Sequence, residues 1–197
     1  DVHLGDFGLQ MGLIIGELEE RGELEKDFTI GELEEIYPFA SAKAKEKNAD
    51  GSLKNEEYAN RAKDITVRLQ KGEEKYKKAW EKIMKVSIAD LKKNYDALDV
   101  HFEIWKGESD AEPYFPRLIE ILEEKGLSYR SNGALVVDIA EPEDKKELPP
   151  CMILKSDGAS LYATSDLGTI MDREKLYPQN WYLYVADRDR KSTRLNS

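Results

Sequence analysis

Tyr162 and Asp166 stand four residues apart, just after a Ser156-Asp157-Gly158 bend. On a helix that spacing puts a phenol and a carboxylate on one face, one turn apart. A carboxylate taken side-on, with an aromatic ring beside it, suits a planar cation that presents several N–H donors. The plainer arrangement has Tyr162 in the core and Asp166 as a carboxylate at a helix start. Asp157 and Gly158 read first as a turn, since Asp bonds the backbone locally and Gly accepts a positive φ; ligand contact is their second use. Near the start of the chain, Gly5 and Gly8 suit a backbone passing close to a ligand. Asp6 between them could instead cap the helix that follows. Asp6, Gln10, Asp157 and Gly158 are therefore candidate pocket residues, and His3 reads as a structural strand residue.

Other reactive types are scarce. The single cysteine, Cys151, excludes an internal disulfide and an all-cysteine metal site. Beside Met152, Ile153 and Leu154 it reads as a buried thiol in a strand rather than a nucleophile. The two histidines, His3 and His101, are far apart in sequence, and no metal site is expected. A net charge of −10 argues against a surface devoted to gripping nucleic-acid phosphates, and DNA is not an expected partner. RNA contact through a local basic strip stays open. No apolar run approaches the ~20 residues of a membrane helix, and no signal peptide is visible, so the expected location is cytoplasmic. Because Asp1 falls inside what reads as a strand, the natural N-terminus is expected upstream.

The elements that must position these residues follow from periodicity. Val2 and Leu4 end a short strand at Gly5-Asp6. Residues 7–18 carry Gly8, Gly12 and Gly16 at four-residue spacing, a smooth face for close packing, and Gly22 stops the helix. Thr29 and Glu32 form a capping box for a helix with Leu33, Ile36, Tyr37 and Ala40 inward; Pro38 should kink or interrupt it. After a loop at 48–52, Ala62, Ile65 and Leu69 mark one helical face, closed by Gly72. A second stripe runs from Tyr76 through Trp80 and Ile83 to Leu98, with Ser87 and Asp90 able to recap it midway. Residues 100–105 read as extended. A helix is expected at about 114–125, then a hairpin turning at Asn132-Gly133, a connector at 141–150 and a strand at 151–154. A helix beginning near Thr164 or Ser165 and a parallel strand at 181–186 complete the pattern.

Taken in order, these segments resemble the arginyl-tRNA synthetases. Gly5-Asp6-Phe7-Gly8-Leu9-Gln10-Met11-Gly12 is similar to their Gly-Asp-Trp-Gly-x-Gln-x-Gly stretch, with Phe7 for the usual Trp. Leu69-Gln70-Lys71-Gly72-Glu73 followed by Trp80 resembles their helical connection. Trp105-Lys106-Gly107-Glu108-Ser109 resembles their W-x-x-E-S turn, and Asn132-Gly133-Ala134 their D-G-A hairpin. The most specific match is Lys155-Ser156-Asp157-Gly158 with Tyr162, Thr164 and Asp166, similar to K-S-D-G-x-x-x-Y-x-T-R-D. Ser165 stands where Arg is common and Gly168 where Ala is common.

The resemblance implies a fold and a reaction. The fold is α/β, a partial Rossmann-like class I synthetase catalytic domain interrupted by a helical insertion. Residues 1–22 would belong to its first half, 23–150 to the insertion with a small hairpin, and 151–188 to the start of its second half. Residues 189–197, polar and basic, depart from the family and read as a non-native tail. The reaction is ATP-dependent activation of L-arginine, with Mg2+ accompanying ATP, followed by transfer to arginine tRNA. Tyr162 and Asp166 would contact the arginine. The two class I signature motifs are absent from the chain, so no catalytic residue is assigned and the chain alone is expected to be inactive. The competing reading is a non-catalytic helical interaction module derived from a synthetase.

Overall fold

The computed structural model describes residues 1–144, 148–178 and 180–183. Strand β1 (Val2–Leu4) is followed by four helices: α1 (Leu9–Glu20), α2 (Ile30–Lys45), α3 (Glu56–Gln70) and α4 (Glu74–Ala97). The chain then returns as β2 (Trp105–Gly107), which lies parallel to β1 with Val2 opposite Trp105. The four helices thus form one long crossover between two paired strands. The extended stretch expected at 100–105 resolves into a strand only at its end, and that strand closes the crossover.

The helices form where the sequence places their stops and caps. Gly22 and Gly72 take φ of 68° and 76°, which end α1 and α3. The Thr29 hydroxyl accepts from the Glu32 N–H, and the Glu32 carboxylate accepts from the Thr29 N–H at 2.6 Å, a complete capping box. Pro38 does not interrupt α2. It lies on the exposed side, while Leu33, Ile36 and Ala40 hold the opposite face in the core. The 24-residue α4 likewise runs without a recap at Ser87.

Two expected core positions come out exposed. Tyr37 is one residue around the helix from the buried Ile36 and faces outward. Leu98 sits past the last turn of α4, beyond any neighbour able to cover it, and is 72 % exposed.

Ile15 and Leu18 of α1, Ile65 and Leu69 of α3, and Ile83 of α4 form the main core, each almost wholly buried. Full burial of such side chains contributes about 1.5–3 kcal/mol apiece. Gly12 lets α1 approach α3 at backbone distance, since a Cβ there would stand 2.1 Å from the Ala62 carbonyl oxygen. The glycine face read from the sequence is therefore the α1–α3 contact.

After β2 come a 3-10 segment (Glu108–Tyr114), helix α5 (Phe115–Glu124), strands β3 (Ser128–Ser131), β4 (Ala134–Val137) and β5 (Cys151–Leu154), and helix α6 (Tyr162–Leu176). The three strands make an antiparallel sheet in sequence order. Asn132 and Gly133 turn the hairpin with φ of 49° and 83°. Leu118 and Leu122 of α5 pack on Leu135 and Ile153 as a second, smaller core. Cys151 is half-buried rather than buried: it shares the face of Ile153 and packs at the edge of that core, while Met152 faces outward. Of the strand expected at 181–186, residues 181–183 are described and lie outside any strand; the rest of it, and the tail at 189–197, fall outside the described residues. No helix among the described residues is long and apolar enough to cross a membrane.

Candidate functional site

The bend after β5 fixes where α6 begins. Lys155 N–H donates to the Ala159 carbonyl at 2.9 Å, and Gly158, at φ 84°, makes the turn possible. Asp157 Oδ1 accepts from Ala159 N–H at 3.0 Å, so its carboxylate serves its own loop. The Thr164 hydroxyl then accepts from Leu161 N–H at 3.2 Å and donates to the carbonyl of Ile153. Thr164 has no exposed surface. These two bonds attach the first turn of α6 to β5, and they start the helix at Tyr162, slightly ahead of the expected Thr164 or Ser165.

Tyr162 is 66 % exposed and stands at an open groove between α1, α2 and α4. Gln10 and Met11 come from α1, Glu34 and Tyr37 from α2, and Ile83 and Ser87 from α4; the groove holds about 660 Å³. Small-molecule sites fall in the range of ~300–1,000 Å³. Gln10 also donates from Nε2 to the Gly5 carbonyl at 2.7 Å, which ties the groove to the Gly5–Gly8 turn. Asp166, one turn beyond Tyr162, is partly buried and is not among the residues lining the groove. The structure thus brings Tyr162 and Gln10 together. Asp157 lines a separate concavity beside the hairpin, with Asn132 and Lys155. Gly158 shapes the bend.

Asp6 is a joint rather than a pocket wall. The residue is 4 % exposed, and its carboxylate accepts from Ser109 N–H at 3.0 Å and Ser109 Oγ–H at 2.6 Å. It also lies against Gly107, where a Cβ would come within 2.4 Å of it. Burial pushes the Asp6 pKa up, and the two Ser109 hydrogen bonds pull against that rise. The turn after β1 is thereby locked to the residues after β2.

The far end of α6 is anchored by charge. Asp172 Oδ2 accepts from Lys106 Nζ and from Arg173 Nη1, each at 2.6 Å, and Arg173 Nε donates to Asp1 at 2.6 Å. Burial would raise the Asp172 pKa, but the bonds from Lys106, Tyr114 and Arg173 hold it below the usual carboxylate range. Both ends of α6 are therefore fixed, one to β5 and the other to β1 and β2.

The family described as tRNA synthetases class I (R), catalytic domain, matches residues 2–196. The chain belongs to this family. It is 51 % identical to the arginine–tRNA ligase of Agathobacter rectalis over 95 % of its length, and 43 % identical to that of Alkaliphilus oremlandii over the same share. In each case it spans about a third of the relative, 32 % and 33 %. The arginyl-tRNA synthetase of Plasmodium falciparum shares the fold, with a TM-score of 0.64 at 22 % identity, over 87 % of this chain and 27 % of that one.

Several residues that build the site of this class I synthetase chain were not singled out by sequence. Ser109 and Thr164 fall inside quoted motifs, but their roles were not read: Ser109 bonds Asp6, 103 positions away, and Thr164 bonds the strand before its helix. Tyr37 was read as core because a helical stripe has soft edges. Glu34 lies among the many acidic residues of solvated helix faces and had no distinguishing signal.

Proposed function

We propose that this chain carries the amino-acid recognition part of an arginine–tRNA ligase. The supporting observation is Tyr162, held by Thr164 at the mouth of a groove of substrate size, within the motif that the family resemblance associates with arginine contact. In this reading Tyr162 contributes ring or hydroxyl contact to the guanidinium, and Asp166 accepts its N–H donors. The arginine carboxylate attacks the α-phosphorus of ATP and expels pyrophosphate, and the resulting adenylate is transferred to the terminal ribose of arginine tRNA in the cytoplasm. No protein nucleophile is needed; such a reaction is driven by positioning and by electrostatic stabilisation of phosphate charge. Among the described residues no group of three acids, histidines or cysteines could hold a metal ion. Mg2+ would accompany ATP as part of the substrate, and no step is assigned to it on the protein.

The test is calorimetric titration of the chain with L-arginine and with citrulline, its uncharged isostere. Binding of arginine in preference to citrulline is expected. Asp166→Asn should weaken arginine binding by about 1.5–3 kcal/mol, the scale of a hydrogen bond to a charged group. An unchanged dissociation constant in that variant would remove Asp166 from the site.

A further inference from the structure

Gln10 and Tyr162 line one groove from different elements, and the supports of both lead to Asp6, which is not part of the lining. On one side Gln10 donates to the carbonyl of Gly5, the residue before Asp6, at 2.7 Å. On the other, Tyr162 rides on α6, which lies against the 3-10 segment. A Cβ at Gly168 of α6 would stand 3.0 Å from the carbonyl oxygen of the buried Ala111. Two residues before Ala111, Ser109 gives its main-chain N–H and its hydroxyl to the Asp6 carboxylate. At the other end of the segment, Tyr114 bonds Asp172 of α6. A seven-residue 3-10 segment has poor internal hydrogen-bond geometry, so side-chain bonds such as these decide where it sits.

We propose that Ser109 is a positioning residue: its hydroxyl bond to Asp6 seats the 3-10 segment, and so sets where α6 presents Tyr162 opposite Gln10. Ser109 does not line the groove, and it acts only through the segment and the helix packed on it. This inference rests on the arginine reading above. Without the hydroxyl, the main-chain N–H still reaches Asp6, so the segment stays in place but with one bond where it had two. Its carbonyl at Ala111 touches α6 at a glycine, with no side chain between to absorb a shift. A small displacement of the segment therefore passes directly into the helix that carries Tyr162.

The experiment titrates L-arginine into the 197-residue chain, Ser109→Ala, Ser109→Thr, Tyr162→Ala and the Ser109→Ala/Tyr162→Ala double variant. All are held at a temperature where circular dichroism shows them folded. Affinity scales with the competent fraction, so a loss of global stability alone leaves the dissociation constant unchanged there. Ser109→Ala should weaken binding about tenfold, within the range that coupled groups show. Ser109→Thr keeps the hydroxyl and should bind within about twofold of the parent. In the Tyr162→Ala background, Ser109→Ala should cost less than about threefold, because the residue it acts through is gone. Should the alanine variant not fold, Ser109→Cys, a weaker donor of similar size, takes its place in the same comparison. Unchanged binding in Ser109→Ala, or a full tenfold loss in both backgrounds, overturns the assignment. If Asp166→Asn weakens binding while Ser109→Ala does not, the arginine reading stands and the positioning role alone falls. If the unaltered chain does not bind arginine, both fall.

Discussion

The indole Nε1–H of Trp80, on α4, donates to the carbonyl oxygen of Asp6 at 2.7 Å, across 74 positions of sequence. Gln70, at the end of α3, makes the matching bond to the Phe7 carbonyl at 2.9 Å. The turn that leads from β1 into the groove therefore takes its donors from the helical crossover, and Phe7 packs edge-on against the Trp80 ring at 6.2 Å. Trp80→Phe keeps an aromatic ring but strips the Asp6 carbonyl of its donor. A loss of about 1–3 kcal/mol in urea unfolding is expected, the cost of leaving a part-buried acceptor unpaired. A loss below ~0.5 kcal/mol would mean that water replaces the indole without penalty.

Gly12 and Gly16 lie on the same face of α1 and should respond differently to alanine. At Gly12 the new methyl would stand 2.1 Å from both the Ala62 carbonyl and Thr66 Oγ1. The first of these is backbone, so α1 and α3 must move apart. The helix-propensity gain of about 1 kcal/mol is small beside that, and Gly12→Ala should destabilise by about 3 kcal/mol or more. At Gly16 the nearest atom is the flexible end of Ile65, at 3.3 Å, and Gly16→Ala should be neutral within ~1 kcal/mol. Thermal melts of the two variants compared side by side test this. Equal melting temperatures would contradict the close approach at Gly12.

Acid should unfold the chain through its two buried carboxylate networks. Glu17 accepts from Arg21 Nε and from Tyr58 Oη, each at 2.8 Å, and these bonds, with Lys43 nearby, outweigh burial and hold its pKa below normal. Asp172 is depressed in the same way. A depressed folded-state pKa gives stability that is full above the unfolded value and is lost as pH falls through the folded one. Stability should therefore decline as pH drops below about 4. Asp6 has the opposite sign: its raised pKa makes the fold more tolerant of its protonated form. Glu17→Gln and Asp172→Asn should each lower stability at pH 7 and flatten the acid limb of a melting-temperature profile. An acid limb as steep in the double variant as in the parent would assign the effect to other groups.

The helical half of this fold was legible because its signals are local. The Thr29-Glu32 box, the stops at Gly22 and Gly72, and the stripe through Ala62, Ile65 and Leu69 each need only one or two turns of helix to be read. The hairpin at Asn132-Gly133 was legible for the same reason, since the two residues' own φ angles make it. What stayed hidden depends on partners far along the chain. The parallel pairing of Val2 with Trp105 joins two strands of three residues each, too short to announce themselves. The Asp6–Ser109 bond converts a candidate pocket residue into a structural joint, and Tyr37 and Glu34 become groove residues only because α1, α4 and α6 leave a gap beside them. Sequence marked Tyr162 and Thr164 through one motif, but not that the Thr164 hydroxyl ties the start of α6 to the Ile153 carbonyl.

Gly168 offers a case in which two local rules disagree. It lies in the interior of α6, where alanine is better by about 1 kcal/mol on helix propensity. Yet α6 crosses the 3-10 segment at this point, and a Cβ would stand 3.0 Å from the Ala111 carbonyl and 2.9 Å from Cε1 of Phe115. The phenyl ring can turn aside; the carbonyl belongs to a buried residue and cannot. Packing should win, and Gly168→Ala is expected to cost about 1–2 kcal/mol net. Phe115→Leu, which opens space on one side only, should recover part of that cost in the double variant, with a coupling of about 0.5–1 kcal/mol. Because Gly168 lies less than two turns from Tyr162, a displaced α6 should also weaken arginine binding in proportion to the strain. A variant that is more stable than the parent would show that α6 can slide along the 3-10 segment, and that its anchors at Thr164 and Asp172 are looser than their hydrogen bonds imply.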